Sequence, residues 1–124
     1  MSENLKKVLI VEDERPMAKA LELKLMSSGY FAKAVFNGEE GLDLLAEEQF
    51  DLIILDLVMP RMSGFEFLEK LKTKKIDIPV IVASNLSQEE DIVKVKELGA
   101  VDYFIKSDVS ISEIIDRVRR VIEA

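Results

Sequence analysis

Short apolar runs alternate along this chain with longer stretches whose apolar residues recur at helical spacing. Continuous runs of this kind suit strands buried on both faces, and the three-to-four spacing suits amphipathic helices. Lys7–Val11, Phe31–Val35, Leu52–Asp56, Val80–Ser84 and Asp102–Lys106 are the predicted strands. Lys33 inside the second run marks an edge strand, since a charge there discourages pairing with other chains. Pro16 suits the first turn of a helix reaching about Ser28, with Met17, Leu21, Leu25 and Met26 on its buried face and Gly29 as its stop. Four cap pairs open the later helices: Asn37 with Glu40, Ser63 with Glu66, Ser87 with Glu90, and Ser110 with Glu113. The second helix is expected to bury Leu42, Leu45 and Ala46, and the third to end near Lys75. Gly99 closes the fourth, and the last carries Ile114, Val118, Val121 and Ile122. Strands alternating with helices throughout predict an α/β fold, a (βα)5 doubly wound five-stranded parallel sheet.

Composition narrows the function. A chain of 124 residues, 48% hydrophobic and 33% charged, is one folded domain with a core of its own. A net charge of −7 argues against direct nucleic acid binding, which needs a basic face. No apolar stretch is long enough to cross a bilayer, and Met1–Lys7 lacks the apolar centre of a signal peptide. The absence of cysteine removes disulfides and thiolate metal sites and fits the cytoplasm. The absence of histidine weighs more, because any imidazole chemistry must then come from another protein.

The stretch Asp51–Pro60 holds the candidate centre. Its apolar run breaks at Asp56, and open α/β sheets do their chemistry in the crevice beyond the carboxyl ends of the strands. Glu12 and Asp13 stand at the end of the first strand, Ser84 at the end of the fourth and Lys106 at the end of the fifth. Right-handed crossovers bring these ends to one rim. Clustered carboxylates raise a pKa or recruit a cation, and an all-oxygen ligand set selects Mg²⁺ or Mn²⁺ over zinc. Lys106 and Ser84 are left to hold an anion, for which phosphate is the natural candidate, and a carboxylate can itself accept a phosphoryl group.

Val11-Glu12-Asp13, Leu55-Asp56-Leu57-Val58-Met59-Pro60, Ala83-Ser84 and Tyr103-Phe104-Ile105-Lys106 resemble the receiver domain of bacterial two-component response regulators, over essentially the whole chain. The resemblance implies the flavodoxin-like strand order 2-1-3-4-5 and a single receiver domain over residues 1–124. It implies that Asp56 accepts a phosphoryl group from a sensor-kinase phosphohistidine or a histidine phosphotransfer protein. Mg²⁺ would sit among Glu12, Asp13, Asp56 and the backbone carbonyl of Val58. Ser84 would be the switch hydroxyl, Lys106 the phosphoryl clamp, and Tyr103 the aromatic that changes rotamer on activation. Such a domain assists its own phosphorylation and dephosphorylation without being an enzyme for another substrate. No output segment follows the fifth helix, which suits either a free-standing receiver or a piece of a longer regulator.

Three positions depart from the family pattern. Glu12 replaces the commoner aspartate, and Asn85 stands where alanine or glycine is usual, as an access gate beside the switch hydroxyl. Ser107 replaces the proline after the lysine, so no cis bond is expected there. Glu97, Asp102, Glu113, Arg117 and Arg119 resemble the charged set with which regulators carrying winged-helix outputs dimerise, although Ile92 and Val101 interrupt it. A solvated helical face explains the same charges equally well.

Other classes fit less well. A haloacid-dehalogenase-type phosphatase has a second aspartate two residues after its nucleophile, where this chain has Val58. A flavodoxin-like cofactor binder needs a small, hydroxyl-rich phosphate loop after the first strand, and Glu12-Asp13-Glu14-Arg15 would repel a phosphate. A phosphorylation-dead pseudo-receiver is opposed by the complete acidic set.

Overall fold

The computed structural model describes residues 5–123. Its elements alternate as β1 (Lys7–Val11), α1 (Arg15–Ser27), β2 (Phe31–Val35), α2 (Gly38–Glu47), β3 (Leu52–Leu55), α3 (Gly64–Thr73), β4 (Val80–Ser84), α4 (Glu89–Glu97), β5 (Asp102–Ile105) and α5 (Ile111–Ile122). A short 3₁₀ turn, Lys106–Asp108, joins β5 to α5. The five strands form one parallel sheet in the order β2-β1-β3-β4-β5, the predicted topology, with Lys33 on an edge strand.

The pleat sends alternate residues to opposite faces, so each central strand feeds two cores. Leu9 and Val11, Ile53 and Leu55, and Val80 and Val82 pack with Phe67, Leu68 and Leu71 of α3 and Val95 of α4. Val8 and Ile10, Leu52 and Ile54, and Ile81 and Ala83 pack with Ala18, Leu21 and Leu25 of α1 and Ile114, Ile115 and Val118 of α5. All the residues of β3 and β4 are buried, as continuous apolar runs predict for central parallel strands.

Capping boxes at Ser63–Glu66 and Ser110–Glu113 form in full. At α2 only half forms: Asn37 accepts from the Glu40 N–H, while the Glu40 side chain accepts from Phe36 N–H instead. The pair expected at Ser87 and Glu90 does not form. Helix α4 starts at Glu89 behind Gln88, with no side-chain cap, and Glu89, Glu90 and Asp91 in its first turn complement the helix dipole instead. Gly29 and Gly99 follow α1 and α4 with φ of +100° and +106°, as helix stops require.

Three boundaries and two burial assignments differ from expectation. Asp56 lies just past β3, Lys106 belongs to the 3₁₀ turn, and α3 stops at Thr73. Met26 is exposed because Ala18, Leu21 and Leu25 already fill the inward stripe of α1. Ala46 is also exposed, since α2 rests on Gly38 and Gly41 with Leu42 and Leu45 half-buried beside them.

Candidate functional site

The chain leaves β1 and β3 already aligned, and the first residues beyond them stay tied. Asp56 N–H donates to the Val11 carbonyl at 3.0 Å, and Glu12 N–H to the Val35 carbonyl at 3.1 Å. Helix α3 begins almost on top of this turn. A Cβ on Gly64 would lie 2.4 Å from the Asp56 carbonyl oxygen and 2.7 Å from Leu57 Cα, so only glycine permits the approach. The loop carrying Asp56 is therefore fixed on both sides.

A cleft of about 310 Å³ opens over these strand ends, lined by Asp13, Glu14, Asp56, Val58, Ser84, Asn85 and Lys106. Carboxylate oxygens of Glu12, Asp13 and Asp56 lie within 4.8 Å of one another. Lys106 reaches into the same cluster. Its Nζ stands 2.7 Å from Glu12 Oε1, 2.6 Å from Glu14 Oε1 and 3.2 Å from Asp56 Oδ2. The ammonium thus supplies the cation that a carboxylate cluster recruits. The oxygen set also fits Mg²⁺ or Mn²⁺, which takes a few carboxylates and keeps waters.

Burial pushes the Glu12 carboxyl up to about 7. The hydrogen bonds it accepts from Lys106 and from Glu14 N–H pull the other way and lose, and the charge of Asp56 adds to the rise. Burial works to lower Lys106, but hydrogen bonds to Glu12 and Glu14 and the charge of Asp56 outweigh it and raise its pKa. Both shifts centre on the same buried contact between Lys106 and Glu12.

Ser84 is fully buried, and its Oγ accepts from Leu86 N–H at 3.3 Å. Tyr103 on β5 donates its hydroxyl to the Leu86 carbonyl, which ties it to the loop after β4. Burial raises the Tyr103 pKa, helped by the charges of Asp91 and Asp56. Asn85 lines the cleft, and its Oδ1 accepts from Ser107 N–H at 3.0 Å, bridging the loops after β4 and β5. A proline at 107 would have no N–H to offer, and every peptide bond among the described residues is trans.

The five charges assigned to a partner face lie elsewhere, and most are engaged within the chain. Asp102 pairs with Arg117, Glu113 completes the α5 capping box, and Arg119 faces Glu123 at 3.8 Å. Glu97 is exposed on α4. Glu14 is the one member of the site that the sequence reading passed over as part of an acidic strand end. Its place at the N-cap of α1, next to Glu12 and Asp13, was the available signal.

Comparison with known proteins decides the family. The profile of the response regulator receiver domain matches residues 8–119. This chain belongs to the response regulator receiver family. A curated relative, the probable transcriptional regulator ycf27 of Guillardia theta, is 38% identical over 120 residues, which are 97% of this chain and 46% of the relative. The receiver domain thus spans about half the length of that relative. Among solved structures, the receiver domain of Francisella response regulator 1452 is 31% identical, with 95% of this chain and 97% of that one covered and a TM-score of 0.89. The response regulator TrrA of Thermotoga maritima, solved in complex with Mg²⁺ and BeF, is 30% identical, with coverage of 94% and 99% and a TM-score of 0.82.

Proposed function

We propose that this receiver domain, a single unit over residues 1–124, is the phosphoacceptor of a two-component signalling pathway. The observation that carries the reading is one buried carboxylate, Asp56, in contact with Lys106 and within 4.8 Å of two further carboxylates at a cleft over the strand ends. The partner supplies a phosphohistidine, which this chain cannot supply because it has no histidine. An Asp56 carboxylate oxygen attacks phosphorus, the P–O bond forms as the donor's P–N bond breaks, and the imidazole keeps the electron pair and takes up a proton. Positioning and charge do most of the work in such transfers.

Glu12, Asp13, Asp56 and the Val58 carbonyl would hold Mg²⁺, or Mn²⁺ in its place. When bound, the ion offsets negative charge on the phosphoryl oxygens. Lys106 clamps one phosphoryl oxygen and Ser84 donates its hydroxyl to another. Tyr103 follows the Ser84 loop, and Asn85 gates the entrance. The altered surface is the face of α4, β5 and α5, where a downstream protein or a second copy docks, with Glu97, Asp102, Glu113, Arg117 and Arg119 at its charged positions. The domain works in the cytoplasm, binds no nucleic acid itself, and catalyses nothing beyond its own phosphorylation and dephosphorylation. No helix among the described residues is long and apolar enough to cross a membrane. The solved relative in complex with Mg²⁺ and BeF supports the choice of metal and ligand.

The test is direct. Acetyl phosphate with Mg²⁺ should add one phosphoryl group to the wild-type chain, read by intact mass, and Asp56→Asn should add none. Equal labelling of the variant would remove Asp56 from the role.

A further inference from the structure

An ammonium has three N–H donors and no acceptor. Lys106 has three carboxylate neighbours within 3.2 Å, and of these Glu14 and Asp56 accept hydrogen bonds from its Nζ. The ammonium is therefore ringed by negative charge before any phosphoryl group arrives, and a new anion has to compete with the partners already there. The three occupants are not equivalent. Glu12 and Asp56 are buried, with side chains 3% and 5% exposed, and leaving either uncompensated in that setting is expensive. Glu14 is 62% exposed, so water can take over its solvation at once. Glu14 also has no other polar side-chain partner among the described residues, and it makes no side-chain cap for α1.

We propose that Glu14 is the occupant that yields: a positioning residue that parks Lys106 in the phosphoryl-free state and must release it for the clamp to form. The inference rests on the phosphoacceptor reading and adds a competitor to it. Release of Glu14 also gives the signal a second place to register. Glu14 directly precedes α1, and the adjoining Arg15 guanidinium lies 4.0 Å from the Phe36 ring at the end of β2. Phosphorylation therefore changes the entrance of α1 as well as the loop after β4.

A contact that merely supports the fold and one that competes with the ligand predict opposite signs. Removing a competitor strengthens the ligand, whereas removing a support weakens it. Glu14→Gln keeps the shape and loses the charge. With Mg²⁺ present, its affinity for beryllofluoride, a phosphoryl mimic read by fluorine NMR, should rise about two- to fivefold, the range that an exposed ion pair is worth. Both proteins are compared at saturating Mg²⁺, so that any change in metal affinity stays out of the comparison. The gain should vanish when Glu14→Gln is made in a Lys106→Ala background, because no ammonium is then left to contest.

Unchanged or weaker beryllofluoride binding by Glu14→Gln overturns the proposal. So does an equal gain in the Lys106→Ala background, which would mark a general charge effect. Failure of the phosphoacceptor reading looks different: wild type itself would then take neither beryllofluoride nor the phosphoryl group of acetyl phosphate.

Discussion

Glu12 shows how burial can outweigh a salt bridge at a single residue. The carboxyl is raised to about 7, from 4.5 in the unfolded chain, although an ammonium stands 2.7 Å away. The folded protein therefore binds a proton in a range where the unfolded chain has released it. The resulting stability is fully present below the unfolded pKa and is lost as pH rises through the folded one. In chelator, urea unfolding should show this loss in wild type as pH rises from 4.5 to about 7, and a flatter profile in Glu12→Gln. An equally steep decline in the variant would assign the titration to another group. The carboxylates of Glu12, Asp13 and Asp56 were legible in the sequence because each follows an apolar run, and topology alone brings such ends to one rim. Glu14 was not legible in the same way. Its partner lies 92 residues along the chain, and that pairing exists only once the rim is assembled.

At the scale of elements, the two departures at Asn85 and Ser107 prove to be one feature. Serine at 107 restores an N–H that proline lacks, and Asn85 Oδ1 accepts it, so the loops after β4 and β5 are tied together beside the cleft. A neutral hydrogen bond of this kind contributes about 0.5–1.5 kcal/mol. Asn85→Ala and Ser107→Pro should each lower stability by about that much, and the double variant no more than the costlier single one, in a denaturant double-mutant cycle. Strictly additive losses would show that the Asn85 side chain and the backbone N–H of residue 107 act separately. The central strands β1, β3 and β4 were legible because burial on both faces writes itself as nearly unbroken apolar runs, while β3 and β5 each end one residue short of the expected polar terminus. The start of α4 was misread because Ser87 has the chemistry of a cap, but the loop leaves it a residue too early, and acidic residues in the first turn take over its task. Met26 and Ala46 were misplaced because helical periodicity marks an apolar stripe without fixing how wide a neighbouring sheet will cover it.

Across the whole molecule, one residue stands between the site and the distant face. Leu86 donates its N–H to Ser84 Oγ and accepts the Tyr103 hydroxyl on its carbonyl, so the two side chains proposed as the switch hold the same stretch of backbone. Under the proposed function, a phosphoryl oxygen on Asp56 would offer the Ser84 hydroxyl a charge-assisted acceptor for its O–H. On the proposed reading, taking it would draw the loop inward and move the Leu86 carbonyl that Tyr103 bonds, which would free the ring to turn on β5. That strand lies at the sheet edge between α4 and α5, where Val93 and Val101 are exposed and Asp102 pairs with Arg117. The ligand shifts this equilibrium only by its preference for the inward state, which must amount to a few kcal/mol to convert a mostly inactive population. Ser84→Ala removes that preference while leaving Asp56, the carboxylates and Lys106 in place. With Mg²⁺ and beryllofluoride, wild type should show amide shifts at the cleft and along α4, β5 and α5. Ser84→Ala should still bind the mimic but confine its shifts to the cleft loops. Equal shifts along the distant face in both proteins would mean that the signal leaves by another route.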